Sequence, residues 1–202
     1  MTHPHPTEIY ISVDTETAGP NPGQYSLLSI GACTLPGASH EPQETFYAEL
    51  QPVNDHINPE AYAVHGLSLE VLKKNGLAPS EAMQRFDTWL HRIIGAGERP
   101  VFVGFNAPFD WMFINEYFLL YLGHNPFGHS ALDVKAFFMG LTGLPWGACN
   151  FRHITERYAG NHPLQHSLTH NALQDAQDQA VLFALMLSES RYRSEQGEVH
   201  DQ

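Results

Sequence analysis

The sequence predicts an α/β protein on a mixed five-stranded sheet, three antiparallel strands followed by two parallel ones, flanked by helices. Two observations carry the prediction. The first fifty residues hold three runs rich in β-branched and aromatic residues, joined by short turns, which is the pattern of an antiparallel meander. Beyond Asn58 two further apolar runs alternate with helical segments, the pattern of strands reached by crossovers. The first strand, which carries Asp14 and Glu16, is expected at the centre of the sheet.

Strand one covers residues 9–14 and is closed by the turn Ala18-Gly19-Pro20-Asn21-Pro22-Gly23. Strand two follows over Tyr25–Leu35 and ends at Pro36-Gly37, and strand three covers Gln43–Leu50. Asn58 then caps a short helix with Pro59 at its first position, and Ser68–Asn75 forms a second, stopped by Gly76. Met83, Phe86, Leu90, Ile93 and Ile94 recur at helical spacing within Pro79–Ile94. Val101–Phe105 reads as a buried strand. The helix after it, about 107–122, is expected to take Asn106 as its cap. A short fifth strand, 131–134, precedes helical segments near 135–141 and 150–158, and a last helix covers about 172–188. The polar end from Arg191 is expected to fray.

At 202 residues and 43% hydrophobic content, the chain is expected to form one domain, with a core over about 9–188 and polar tails. The start, Met-Thr-His-Pro-His-Pro-Thr-Glu, contains no apolar signal region, and no long apolar run suits a membrane; a cytoplasmic location is expected. Cys33 and Cys149 lack metal-ligand spacing and read as reduced, structural thiols. A net charge of −12, with only ten Lys and Arg spread thinly, argues against a grip on long nucleic acid through many phosphates. Contact with a nucleic acid would be local, over a few nucleotides and through bound metal.

Three clusters carry chemistry. Asp14 and Glu16 lie two apart on a strand and so share a face, with Cα atoms roughly 7 Å apart. Either they form a solvated strand terminus or they share a hard divalent cation. In Asn106-Ala107-Pro108-Phe109-Asp110, Asp110 falls in the first turns of a helix, where the dipole favours an acid and where α/β sheets hold ligands. In Thr169-His170-Asn171-Ala172-Leu173-Gln174-Asp175, a spacing of five is wrong for one helical face. If Asn171 is the cap and Gln174 completes a variant capping box, His170 and Asp175 occupy the two positions that pack in a hydrophobic staple. An imidazole then lies beside a carboxylate.

In this order and separation, the three clusters resemble the exonuclease motifs of the DEDDh family of 3′-to-5′ exonucleases, which includes the epsilon proofreading subunit of bacterial DNA polymerase III and ribonuclease T. Asn58-Pro59-Glu60-Ala61-Tyr62-Ala63-Val64-His65-Gly66-Leu67 is similar to the epsilon-type segment between the first two motifs. The resemblance implies an RNase H-like fold and two divalent cations, Mg²⁺ with Mn²⁺ able to substitute. It implies that Asp14 bridges both ions, that Glu16 and Asp175 hold the ion carrying the attacking water, and that Asp110 helps the second. His170 matches the general base; His166, nine residues before Asp175, lies outside the motif. Phe109 and His65 match positions that contact the terminal nucleotide, and Thr15 and Thr17 are candidates to meet its 3′ end. The implied substrate is a short single-stranded DNA or RNA 3′ end, and the product a nucleoside 5′-monophosphate. A homodimer stays open. A second reading, a catalytically silent 3′-end-binding module on the same fold, gives no reason to keep four mutually repelling carboxylates.

Overall fold

A computed structural model describes residues 7–35, 44–158 and 169–198. Five strands, β1 (Thr7–Thr17), β2 (Leu27–Thr34), β3 (Thr45–Glu49), β4 (Glu98–Gly104) and β5 (Ala131–Asp133), form one sheet in the order β3-β2-β1-β4-β5. Strands β1, β2 and β3 pair antiparallel, and β4 and β5 run parallel to β1. The expected mixed sheet with a central first strand is the one observed.

Among the described residues, seven helices surround the sheet: α1 (Pro59–His65), α2 (Leu69–Asn75), α3 (Pro79–Ile93), α4 (Pro108–Leu122), α5 (Val134–Thr142), α6 (Phe151–Tyr158) and α7 (Ala172–Glu198). Alternation along β1 assigns its two faces. Ile11 and Val13 enter a core with Phe86, Phe102, Phe113 and Phe118 from the strands and from α3 and α4. Tyr10 belongs to the opposite core, with Val134 and Phe138 of α5, Ile154 of α6, and Leu182 and Phe183 of α7. The even positions Asp14 and Glu16 therefore lie on the α7 side.

Three expectations need correction. β1 starts at Thr7 and runs three residues beyond Asp14, because β2 keeps pairing with it as far as Thr17, with a bulge between Glu16 and Thr17. The last helix does not fray at Arg191 but continues to Glu198; Arg193 donates to Glu189 and to the Leu141 carbonyl, and Arg157 also holds Glu189. Asn106 does not cap α4: it has φ +60 and Ala107 stands at the cap position. Cys33 and Cys149 are buried and free, as expected, and among the described residues no helix is long and apolar enough to cross a membrane. The turn at Pro36-Gly37, the first residue of the expected third strand and His166 lie outside the described residues.

Candidate active site

Parallel pairing of β1 with β4 ends at Ser12 and Val103, while β1 continues to Thr17. Past that point the two strands are free to separate, and the start of α4 enters the opening. Asn106 turns the chain there in a left-handed conformation, which Asn tolerates better than most residues. The Ala107 N–H, at the α4 cap position, donates to Asp133 Oδ2 at 2.6 Å, and the other Asp133 oxygen accepts the Ala136 N–H at 2.6 Å in α5. One carboxylate thus fixes two helix starts at the end of the sheet. Asp110 is then held by β1, since its Oδ1 accepts both the N–H and the hydroxyl of Thr15, at 2.9 and 2.8 Å.

The start of α7 reaches the same place from the other face. Asn171 is the cap, as expected, its Oδ1 accepting the Gln174 N–H at 3.1 Å. The reciprocal arm of the expected capping box is missing, because the Asn171 N–H donates to Thr169 Oγ1 at 3.3 Å, while Gln174 Nε2 donates to Asp178 at 3.3 Å. Asp175 folds back in its place. Its carboxylate accepts the Thr169 N–H and hydroxyl at 2.7 and 2.8 Å and the His170 N–H at 2.8 Å, which locks the lead-in. His170 has φ +58 and is exposed. Glu16, His170 and Asp175 each present a ligand atom, all within 4.8 Å of one another. This approach depends on Gly31, the β2 partner of Asp14: a Cβ at Gly31 would lie 2.1 Å from the Ala172 carbonyl carbon.

Asp14, Glu16, Asp110 and Asp175 are all buried, Asp175 to 1% exposure. Among the described residues no Lys or Arg pairs with any of them. Burial, reinforced by the charges of Asp110, Glu16 and Asp175, holds Asp14 well above the carboxylate range, against a 2.7 Å hydrogen bond from Gln179 Nε2. Burial and the charges of Asp175 and Asp110 push Glu16 up to about 8. Asp110 rises to about 7, chiefly through burial, despite the two Thr15 donors. Close acids that are costly to ionise, one grouped with an exposed imidazole, are the donor set a hard divalent cation suits.

A pH dependence follows for the metal-free protein. Between the ordinary carboxylate range and about 8, the folded state binds protons that the unfolded state has released, so stability falls as pH rises through that window. Melting midpoints in chelator should drop from pH 5 to pH 9, and a divalent cation should flatten the drop by favouring the ionised acids. A chelator midpoint that rises across the window would contradict the raised acids.

The other expected site residues are nearby. His65, at the end of α1, accepts the Leu67 N–H on Nδ1 at 3.0 Å, and its buried Nε2 lacks a well-formed hydrogen bond. Burial lowers its pKa; the Thr17 backbone opposes the shift and the charge of His170 adds to it, so His65 shares that side of the cleft. Phe109 is half-buried, its ring 5.7 Å from that of Phe113. Thr15 has both donors committed to Asp110, and the Thr17 hydroxyl donates to the Gly19 carbonyl at 2.9 Å. Sequence reasoning missed Gln179, which holds Asp14 and accepts the Phe105 N–H at 2.9 Å. Its position one helical turn after Asp175 was the available signal. Gly31 and Asp133 were missed as well: Gly31 acts across the fold, and Asp133 caps α5 locally while its hold on the start of α4 spans 26 residues.

Comparison with known proteins shows the family. Residues 11–183 match the RNase T family, described as exonuclease. The 3′-5′ DNA exonuclease Cap18 of Escherichia coli is 44% identical over 191 residues, covering 91% of this chain and 95% of that protein. Ribonuclease T of Baumannia cicadellinicola subsp. Homalodisca coagulata is 29% identical over 189 residues, covering 88% and 83%. Among solved structures, the nuclease domain of 3′hExo, a DEDDh family member bound to rAMP, superposes with a TM-score of 0.72 at 13% identity, covering 94% of this chain and 95% of that one.

Proposed function

This chain belongs to the RNase T family and is a DEDDh-type 3′-to-5′ exonuclease, and we propose that it removes nucleoside 5′-monophosphates from single-stranded DNA 3′ ends with divalent metal. The observation that carries the reading is the convergence of Glu16, His170 and Asp175 within 4.8 Å beside the buried Asp14 and Asp110. The choice of DNA is supported by the name of the E. coli relative, a DNA exonuclease. The monophosphate product is supported by the rAMP in the 3′hExo domain.

Asp14, whose ionisation is opposed by the charges of Asp110, Glu16 and Asp175 around it, would serve both ions. Glu16 and Asp175 would hold the ion beside His170, and Asp110 would help the other. When bound, Mg²⁺ or Mn²⁺ supplies an acidified water and neutralises the departing 3′-oxygen. His170 accepts the proton of the attacking water as it adds in line to the last phosphodiester. The bond from phosphorus to the preceding 3′-oxygen breaks, and that oxygen takes a proton from solvent. Thr15 and Gln179 act as positioning residues, the first on Asp110 and the second on Asp14. Phe109, His65, Thr15 and Thr17 would contact the terminal nucleotide, Thr15 through groups other than the N–H and hydroxyl that it gives to Asp110.

The test follows 5′-labelled DNA and RNA oligomers in Mg²⁺, Mn²⁺ and chelator. DNA should shorten one nucleotide at a time from its 3′ end, and chelator should stop it. Capture of 3′ ends without release of nucleotides would indicate the silent module, and turnover in excess chelator would refute the metal-dependent reading. His170→Ala should lower kcat by about 10²–10⁴-fold, the range of positioned acid–base catalysis, while oligomer binding persists. An unchanged kcat would remove His170 from the mechanism.

A further inference from the structure

Outside the carboxylate cleft, two cation–ring contacts lie on the described surface. In one, Arg157 over Tyr158, the cation is also tied to Glu189 at 2.7 Å. In the other, Lys135 Nζ lies 4.0 Å from the centroid of the Trp146 ring and meets no carboxylate among the described residues. The Trp146 indole is 47% exposed. A lone exposed ring needs no explanation. A ring beneath an unclaimed ammonium does, in a chain of net charge −12 whose other cations are mostly held by acids, such as Lys73 by Asp55 and Glu70.

Two chain paths lead from this pair to the strand ends that carry the cleft. Lys135 follows Asp133 by two residues at the start of α5, and Asp133 holds the start of α4 while its charge acts on Asp110. Trp146 opens a short 3-10 turn, Trp146–Ala148, that leads to Phe151. The Phe151 ring packs edge-on against Phe105, just past the end of β4, with centroids 5.3 Å apart. Both paths end beside the C-terminal ends of β4 and β5.

We propose that Lys135 and Trp146 form a subsite for the single strand on the 5′ side of the scissile bond, the indole stacking a base and the ammonium meeting an adjacent phosphate. The proposal rests on the exonuclease reading: with the terminal nucleotide among the carboxylates, the rest of the strand must leave across a rim. Ten scattered cations cannot clamp many phosphates, whereas stacking on one aromatic face holds any base and needs little charge. An ammonium already poised over that ring adds one phosphate contact without requiring a basic tract.

The experiment compares a dinucleotide with a ten-residue oligothymidylate for the wild type, Trp146→Ala, Trp146→Phe and Lys135→Ala. Trp146→Ala should raise KM for the long substrate about tenfold, with kcat and dinucleotide kinetics unchanged, and Trp146→Phe should keep most of the affinity. Lys135→Ala should raise the same KM and make its salt dependence shallower by about one phosphate contact. Anisotropy of the labelled oligomer in chelator reads strand binding without turnover. If the wild type binds through Trp146 but releases nothing, the exonuclease reading fails and the subsite stands. Equal losses on both substrates, an unchanged KM and affinity for the long oligomer, or an altered sedimentation coefficient with strand binding intact would each overturn the subsite.

Discussion

Asp14→Asn should abolish release of nucleotides and, in the same protein, raise the melting midpoint measured in chelator. The two effects have one cause. Asp14 is buried beside three other acids whose charges all oppose its ionisation, and the amide keeps the oxygen that Gln179 bonds at 2.7 Å while removing the charge. The metal-free fold therefore no longer has to bind a proton that the unfolded chain releases, and it gains stability without loss of packing. The proposed metal ligand is lost with it, so turnover should fall by orders of magnitude, beyond the roughly 10–100-fold typical of a group that only orients a ligand.

Wild-type midpoints should rise from chelator to Mg²⁺ to Mn²⁺. Binding to the folded state alone is worth about 2.7 kcal/mol at a hundredfold excess over Kd. Most of that response should vanish in Asp14→Asn. Unchanged midpoints in both conditions, with turnover retained, would mean that the carboxylates do not share a site.

Gly31→Ala should be the most damaging exchange of a residue that bears no functional group. Its methyl carbon would meet the Ala172 carbonyl carbon and oxygen and the Leu173 nitrogen at 2.1 to 2.2 Å, all backbone atoms that no rotamer change can move aside. Overpacking usually costs about 1–3 kcal/mol, and a backbone-on-backbone contact belongs at the upper end. The relief available is a shift of α7 off β2, which carries His170 and Asp175 away from Glu16. A displacement of about 1 Å suffices for a loss near 10²-fold. Gly140→Ala provides the control, because that α5 glycine has nothing within 4 Å of the added carbon and should gain about 0.5–1 kcal/mol. Thermal melts and oligomer turnover on the two variants read both effects; equal behaviour would show that α7 does not rest on Gly31.

The mixed sheet, its strands and most helix positions were legible in local patterns, since alternation and helical periodicity report burial directly. Element ends were less legible. β1 lasts to Thr17 because β2 continues to bond it there, and α7 lasts to Glu198 because Arg193 and Arg157 meet at Glu189. Both are contacts between segments distant in sequence. Asn106 was misjudged as a cap because its residue type suits a cap and a left-handed turn equally well; Asp133, twenty-six residues away, accepts the Ala107 N–H.

That the acids and His170 share one cleft was implied in the sequence only by the family resemblance; by itself, the sequence paired Asp14 with Glu16 on one strand face and, through the Asn171 cap, set His170 beside Asp175. Those are short-range consequences of strand and helix geometry. Only the tertiary structure decided what holds the acids in place and in what state of charge. Thr15 grips Asp110 from 95 residues away and Gln179 grips Asp14 from 165. Glu16 rises to about 8 because the folded chain strips water from it and adds the charges of Asp175 and Asp110. Desolvation and through-space repulsion depend on which surfaces meet, and spacing along a chain does not record that.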